Sequence, residues 1–300
     1  MGKRLHAANG GIGGVKRGTI QGMDQAALEK LLDGLPLGSL RHFSSLGSTN
    51  DLALRWASAG APDLSLVVAD EQTAGRGRLD RRWYTPRGAG LAFSLILKSS
   101  GLPQALLDSP ALLMRLTALG ALAVCETLNE ALPPMLPAQI KWPNDVIATR
   151  RKLAGVLVEL QWSGERLDAA ILGIGINVSR QAVPPAEQLS FPATCVEEAV
   201  GDEVDRWMLL RAVLANLLTW KDELDTERFM QAWRGRLAFR GEWVQVYTDS
   251  GQAGEPPLLH EGQVAGINPD GTLRLKLRSG EMISVQFGEI RLRQSESSSV

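Results

Sequence analysis

The chain has 300 residues and 44% apolar content, enough for one large domain, or one large and one small, around a core of ordinary size. Its 32 basic and 33 acidic residues nearly cancel, so no chain-wide positive field points to DNA or a membrane surface. Two distant cysteines, Cys125 and Cys195, three scattered histidines and no apolar run of membrane-spanning length argue against a disulfide framework, a zinc site and a membrane span, and make the cytoplasm the expected compartment.

Residues 1–22, glycine-rich and basic, read as disordered, and a start at Met23 would lose little. Residues 24–32 form a short amphipathic helix with Asp24 as its cap, ending near Gly34 and Pro36. Residues 40–45 read as a strand, and Ser48-Thr-Asn-Asp51 opens a helix to Gly60. Those hydroxyl and amide groups suit helix capping, and equally a polar ligand head. The buried strand at 64–69 runs into a loop, residues 70–83, with four arginines in seven residues (Arg76, Arg78, Arg81, Arg82) and two glycines, Gly75 and Gly77, that let backbone approach a guest. Such a loop repels itself and is expected to order when an anion neutralises it, a phosphate chain being the obvious one.

Residues 90–97 read as a buried strand and 110–130 as a long helix with Leu113, Leu116, Leu119, Ala123 and Leu128 inward, broken by Pro133 and Pro134. In residues 140–147, Trp-Pro and Asn-Asp make a rigid bend bracketed by Lys141 and Asp145. The strand at 151–160 has Lys152 at its mouth, either snorkelling to water or serving a site. The next strand, 167–178, carries Gly173 and Gly175, gaps where a flat ligand could lie, and ends at Asn177. A proline-rich surface connection follows from about 181, then helices over 204–224 and 226–237. Beyond Gly241, residues 242–247, 260–267, 272–277 and 282–287 alternate with period two between turns, and 294–300 read as a disordered tail.

Four of these segments occur together in one order and spacing: Gly75-Arg-Gly-Arg-x-x-Arg-x-Trp83, Lys141-Trp-Pro-Asn-Asp145, Arg151-Lys-Leu-Ala-Gly-Val-Leu-Val-Glu159 and Gly173-x-Gly-x-Asn177. On them the chain resembles the biotin protein ligases, also called biotin–[acetyl-CoA-carboxylase] ligases. The resemblance implies an α+β fold: a mixed-sheet catalytic domain of the biotin/lipoate ligase type over 39–240 and a small SH3-like β-barrel over 241–293, flanked by a leader at 1–38 and a tail at 294–300. It implies ATP-dependent conversion of biotin to biotinyl-5′-AMP, then transfer to one lysine of a biotin carboxyl carrier protein, with magnesium accompanying ATP.

By the same resemblance Lys152, Arg76 and Arg78 are the catalytic cations. Ser48, Thr49, Asn50, Gln72, Gly75, Arg76, Lys152, Gly155 and Gly173 hold biotin; Arg78, Arg81, Trp83, Asn177 and Lys152 hold the nucleotide. Direct metal ligands are not implied, and Asp145 is only a candidate near metal or water. Leu79-Asp80 departs from the basic or glycine residues that relatives often carry, which puts the closing of the loop in doubt. One short helix before residue 39 does not make the winged helix-turn-helix of members that also repress transcription, so a monofunctional ligase without DNA or membrane partners is expected, monomeric or homodimeric. A lipoate or octanoate ligase or transferase shares the catalytic fold, but its arginine-serine-glycine loop is not seen; a biotin-responsive transcriptional regulator would need the missing DNA-reading domain.

Overall fold

Four apolar runs of the sequence, residues 64–69, 90–97, 151–160 and 167–178, become strands of one sheet. In this computed structural model, which describes residues 23–79, 81–134, 137–248 and 257–292, the elements in chain order are α1 (Gln25–Leu31), β1 (Leu40–Phe43), α2 (Thr49–Ser58), β2 (Ser65–Ala69), β3 (Gly90–Lys98), α3 (Gln104–Leu107), α4 (Ala111–Asn129), β4 (Gln139–Lys141), β5 (Asp145–Ala148), β6 (Arg151–Ser163), β7 (Arg166–Asn177), α5 (Val196–Val200), α6 (Arg206–Lys221), α7 (Glu227–Arg236), β8 (Trp243–Tyr247), β9 (Leu258–Ile267), β10 (Leu273–Lys276), β11 (Met282–Val285) and β12 (Glu289–Leu292). The expectations for residues 1–22, Asp80 and 294–300 lie outside the described residues.

The first seven strands form one sheet in the order β1-β2-β3-β7-β6-β5-β4. Only β1 and β2 pair in parallel, joined by the crossover through α2, and the remaining pairs are antiparallel, so the fold is mixed α+β. β3 and β7 are apolar almost throughout because helices cover both faces: α4 lies against β4 to β7, and α2 against β2, β3 and β7. Gly120 lets α4 sit close, since a Cβ there would stand 3.0 to 3.2 Å from Val156, Leu172 and Ile174. Leu116, Leu119, Ala123 and Leu128 are buried as predicted, but Leu113 is exposed.

One sequence expectation changes here. The second half of the expected 1–38 leader belongs to the core. Asp24 does cap α1, but Leu28 and Leu32 are buried, and the Gln25 amide donates to the Leu40 carbonyl at 2.8 Å and accepts from the His42 N–H at 2.8 Å, fastening α1 to β1. At the other end about five short strands are expected, four of them at stated residues; the C-terminal sheet has five, the added one being β12, all antiparallel, in the order β11-β10-β9-β8-β12. Its turn at residues 268–271 is tied to the main sheet: the Trp142 indole donates to the Gly271 carbonyl at 3.0 Å, and Arg115 donates to the carbonyls of Pro269 and Leu224 at 3.1 and 2.8 Å.

Candidate active site

A cavity of about 780 Å³ opens between the arginine loop, the β4–β5 bend, the faces of β6 and β7, residues 182–193 and Glu289 of β12. Its floor is made of glycines because other side chains press onto it. Trp83 covers Gly175 in close contact and lies 3.1 Å from where a Cβ on Gly155 would be; the Asn50 amide covers Gly173. The gaps read at Gly173 and Gly175 are therefore real, but protein groups fill them in this structure. The arginine loop is itself a small antiparallel hairpin, with Arg76 bridged to Arg82 and the Trp83 N–H donating to the Gly75 carbonyl at 2.8 Å.

One end of the cavity is neutral and hydrogen-bonding. Ser48 caps α2, accepting from the Asp51 N–H at 3.4 Å. Gln72 accepts from the Thr49 N–H at 2.9 Å and donates to the Thr85 hydroxyl at 3.3 Å. Buried Ser94, on β3, lies 2.8 Å from the Thr49 hydroxyl and donates to the Asn50 side-chain oxygen at 2.6 Å, while the Asn50 side-chain amide donates to Glu159 at 2.8 Å. Each of these side chains is fixed by the next, so the polar end is organised in advance of any guest.

The other end is cationic. Lys141 is buried, 3.3 Å from Asp145 and 3.9 Å from Glu289, with its ammonium 4.6 Å above the Phe191 ring. Lys152, partly exposed, stands 2.6 Å from the other oxygen of Asp145 and 5.4 Å from the Trp83 ring. Leaving an ammonium buried without a partner costs several kcal/mol, about 3 or more, so these acids are structural requirements of the cluster. Burial pulls the Asp145 carboxyl upward, but the ammonium of Lys152, and then that of Lys141, outweighs it and holds the group below the ordinary carboxylate range. Burial also drives the Lys141 ammonium down, against the pull of Asp145 and Glu289. The loop arginines meet protein groups as well: Arg76 pairs with Asp51 at 2.7 Å and Glu159 at 2.6 Å, Arg78 donates to Asn144 at 3.2 Å, and Arg81 pairs with Glu289 at 2.7 Å. The self-repulsion foreseen for this loop is relieved from within the chain.

The sequence offers Asp145 as a candidate near metal or water, and here two ammonium groups face it. Both its oxygens face ammonium groups, which would oppose a divalent cation, and among the described residues no three His, Cys, Asp or Glu side chains gather as a metal site. The residues do not fit a resident metal ion.

A model of the Biotin/lipoate A/B protein ligase family matches residues 43–177, which include α2, the arginine loop and the glycine floor. The bifunctional ligase/repressor BirA of Bacillus subtilis is 39% identical over 78% of this chain and 68% of its own length. The biotin–[acetyl-CoA-carboxylase] ligase of Paracoccus denitrificans is 33% identical over 79% of this chain and 93% of its own. The solved biotin protein ligase of Aquifex aeolicus in complex with biotin and ATP superposes with a TM-score of 0.66 at 30% identity, over 86% of this chain and 99% of that one.

The chain belongs to the biotin protein ligase family.

Every site residue predicted from the sequence for this ligase lines the cavity: Ser48, Thr49, Asn50, Gln72, Gly75, Arg76, Arg78, Arg81, Trp83, Asp145, Lys152, Gly155, Gly173 and Asn177. Their present partners differ from ligands, since Asn177 donates to the Thr194 carbonyl at 3.0 Å and Arg81 is held by Glu289. Sequence reasoning missed four groups that share the ligase cavity or its supports: Lys141 as a buried ammonium, Glu289, Ser94 and Phe191. The stretch containing Phe191, read as a surface connection, is a wall of the cavity, pinned by the Lys152 N–H donating to the Pro192 carbonyl at 2.7 Å. A lysine flanked by apolar residues, as in Ile140-Lys-Trp142, was the available signal for Lys141. No local pattern marks Glu289.

Proposed function

We propose that this chain is an ATP-dependent ligase that activates biotin as biotinyl-5′-AMP and transfers it to a specific lysine of a biotin carboxyl carrier protein. The observation that carries this reading is the position of Lys152: an ammonium held by Asp145 within one cavity that also contains the neutral Thr49–Gln72 end and the Arg76–Arg78 loop. Biotin has the matching polarity, an uncharged ureido ring at one end and a carboxylate at the other. Its ring lies toward Ser48, Thr49, Asn50 and Gln72 and over Gly75, Gly155 and Gly173, with Trp83 moving off the glycine floor to admit substrate. The carboxylate and the α-phosphate of ATP repel one another, and Lys152, with Arg76 and Arg78, neutralises both.

A carboxylate oxygen attacks the α-phosphorus, the bond to the β-phosphate oxygen breaks, and pyrophosphate leaves. In the second step the neutral amine of the carrier lysine attacks the acyl carbon, the acyl–oxygen bond breaks, AMP leaves, and the nitrogen gives up one proton to solvent as the amide forms. Arg78, Arg81, Trp83 and Asn177 take the nucleotide, for which Arg81 must exchange Glu289 for phosphate. Loop closure keeps water from the mixed anhydride. Magnesium enters with ATP as part of that substrate.

The C-terminal five-stranded sheet is in this reading the SH3-like barrel, supported by its bulges near Arg274 and Tyr247. It supplies Glu289 to the cavity. Operator binding is not part of the proposal, because α1 is fastened to β1 and α6 as a piece of the catalytic core. The expected setting is the cytoplasm, where ATP and carboxylase carriers meet.

The test is pyrophosphate release on mixing the full chain with MgATP and biotin, followed by addition of a carrier domain. Biotin-dependent release, then amide-linked biotin on the carrier, is the expected result. Release that needs lipoate in place of biotin, or no release with either acid, would sink the reading.

A further inference from the structure

A second cleft, about 460 Å³, lies where α7 meets the β9–β10 turn, and it shares no lining residue with the reaction cavity. Three arginines face it: Arg234, Arg240 and Arg274. Arg234 is anchored, its Nε donating to the Ile267 carbonyl at 3.2 Å and its fork pairing with Glu227 at 2.7 Å. Arg240 and Arg274 make no side-chain hydrogen bond or ion pair among the described residues. Two positive charges therefore remain uncompensated in one concavity, on a chain whose net charge is only −1.

The backbone is bent to produce this arrangement. Arg240 stands between two residues with positive φ, Phe239 at 60° and Gly241 at 82°, and for phenylalanine that conformation is strained. Bonding of the Gly241 N–H to the Val264 carbonyl at 2.9 Å fixes the result. Opposite, the β9–β10 register slips so that Ala265 is an extra residue ahead of the Gly266–Arg274 pair. Gly266, with φ of 150°, leaves open space where a side chain would stand. A strained turn aims one arginine, and a bulge opens the backbone beside another.

We propose that this cleft is a second anion site that binds a phosphate dianion, free or carried on a small ester. Guanidinium forks match phosphate oxygens two at a time, and two uncompensated cations match a charge of two. A carboxylate would leave one of them unanswered. The site is independent of the ligase reaction proposed above.

The experiment is an NMR titration of the isotope-labelled full chain with inorganic phosphate and, separately, with glycerol phosphate, at ionic strength held constant with chloride. The amides of residues 264–268 should shift and saturate with phosphate, and Arg240→Ala with Arg274→Ala should weaken that binding by about tenfold or more. The double variant should keep the rest of its spectrum and its biotin-dependent pyrophosphate release. Saturation with glycerol phosphate as well assigns the site to esters; saturation with inorganic phosphate alone assigns it to the free ion. A non-saturating response, an equal response to chloride, or an unchanged affinity in the double variant would overturn the proposal.

Discussion

Lys152 and Gly175 carry opposite kinds of information about the cavity. In the proposed reaction the lysine contributes a charge that matters most when the α-phosphorus is under attack, so Lys152→Ala should lower the rate of biotin-dependent pyrophosphate release by on the order of a hundredfold or more. Asp145 would keep Lys141 as a partner, so the variant should fold, and near-normal release would remove Lys152 from its role. Gly175 contributes the lack of a side chain. A methyl group there would meet the Trp83 indole in hard contact, in the middle of a paired strand that cannot easily move. Gly175→Ala should displace Trp83, visible as a changed tryptophan emission in the absence of substrate, and weaken adenylation while the far-ultraviolet circular dichroism stays the same. Unchanged emission would mean that the indole does not rest on this floor. Lys152, the arginines and the glycines could be placed together from the sequence because they belong to the motifs that carry the resemblance, and they do line one cavity; from its own strand Lys152 also reads as a snorkelling end residue. Lys141 was readable only as the flank of a bend, because the acid that completes its surroundings, Glu289, lies on the last described strand.

The element that most repays attention is the β4–β5 bend, a strand pair of few residues that carries one carboxylate between two ammonium groups. Asp145 has a folded-state pKa below its unfolded value, so its contribution to stability is fully present above the ordinary carboxylate range and is lost as pH falls through the folded value. The window therefore lies below about pH 4. Denaturation midpoints measured from pH 7 down to pH 3 should fall in the native chain, and Asp145→Asn should start lower, by about 3 kcal/mol, and fall less steeply over that interval. A parallel pair of curves would show that Asp145 is not the titrating group. Elements were readable from the sequence wherever periodicity and breakers agreed, as for α2, α4, β3, β6 and β7. The short α5 and β12 were not, because α5 follows the proline-rich stretch read as a surface connection and β12 lies beyond the last alternating run.

Across the whole molecule, the two sheets share one hydrophobic core, and the turn at residues 268–271 is among the contacts that join them. Gly271 has φ of 88°, accepts from the Trp142 indole, and would place a Cβ 2.6 Å from Met114 of α4. Gly271→Ala combines backbone strain with overpacking and should cost about 2 to 4 kcal/mol, read as a lower denaturant midpoint. If the C-terminal sheet is coupled to the site through this turn, adenylation should decline in the variant under conditions where it is still folded. Stability lost with activity per folded molecule intact would confine the turn to a packing role. Such long-range coupling is what composition and periodicity do not report, since they describe segments and not which segment meets which.

Glu289 has a consequence for how the chain folds. Any folding of the arginine loop, both lysines and the glycine floor ahead of β12 would leave Lys141 in an apolar setting with Asp145 shared between it and Lys152. Arrival of β12 brings one carboxylate within reach of both Lys141 and Arg81. A variant without β12 would lack that charge, so the electrostatics of the cavity depend on a strand far from the rest of it in sequence.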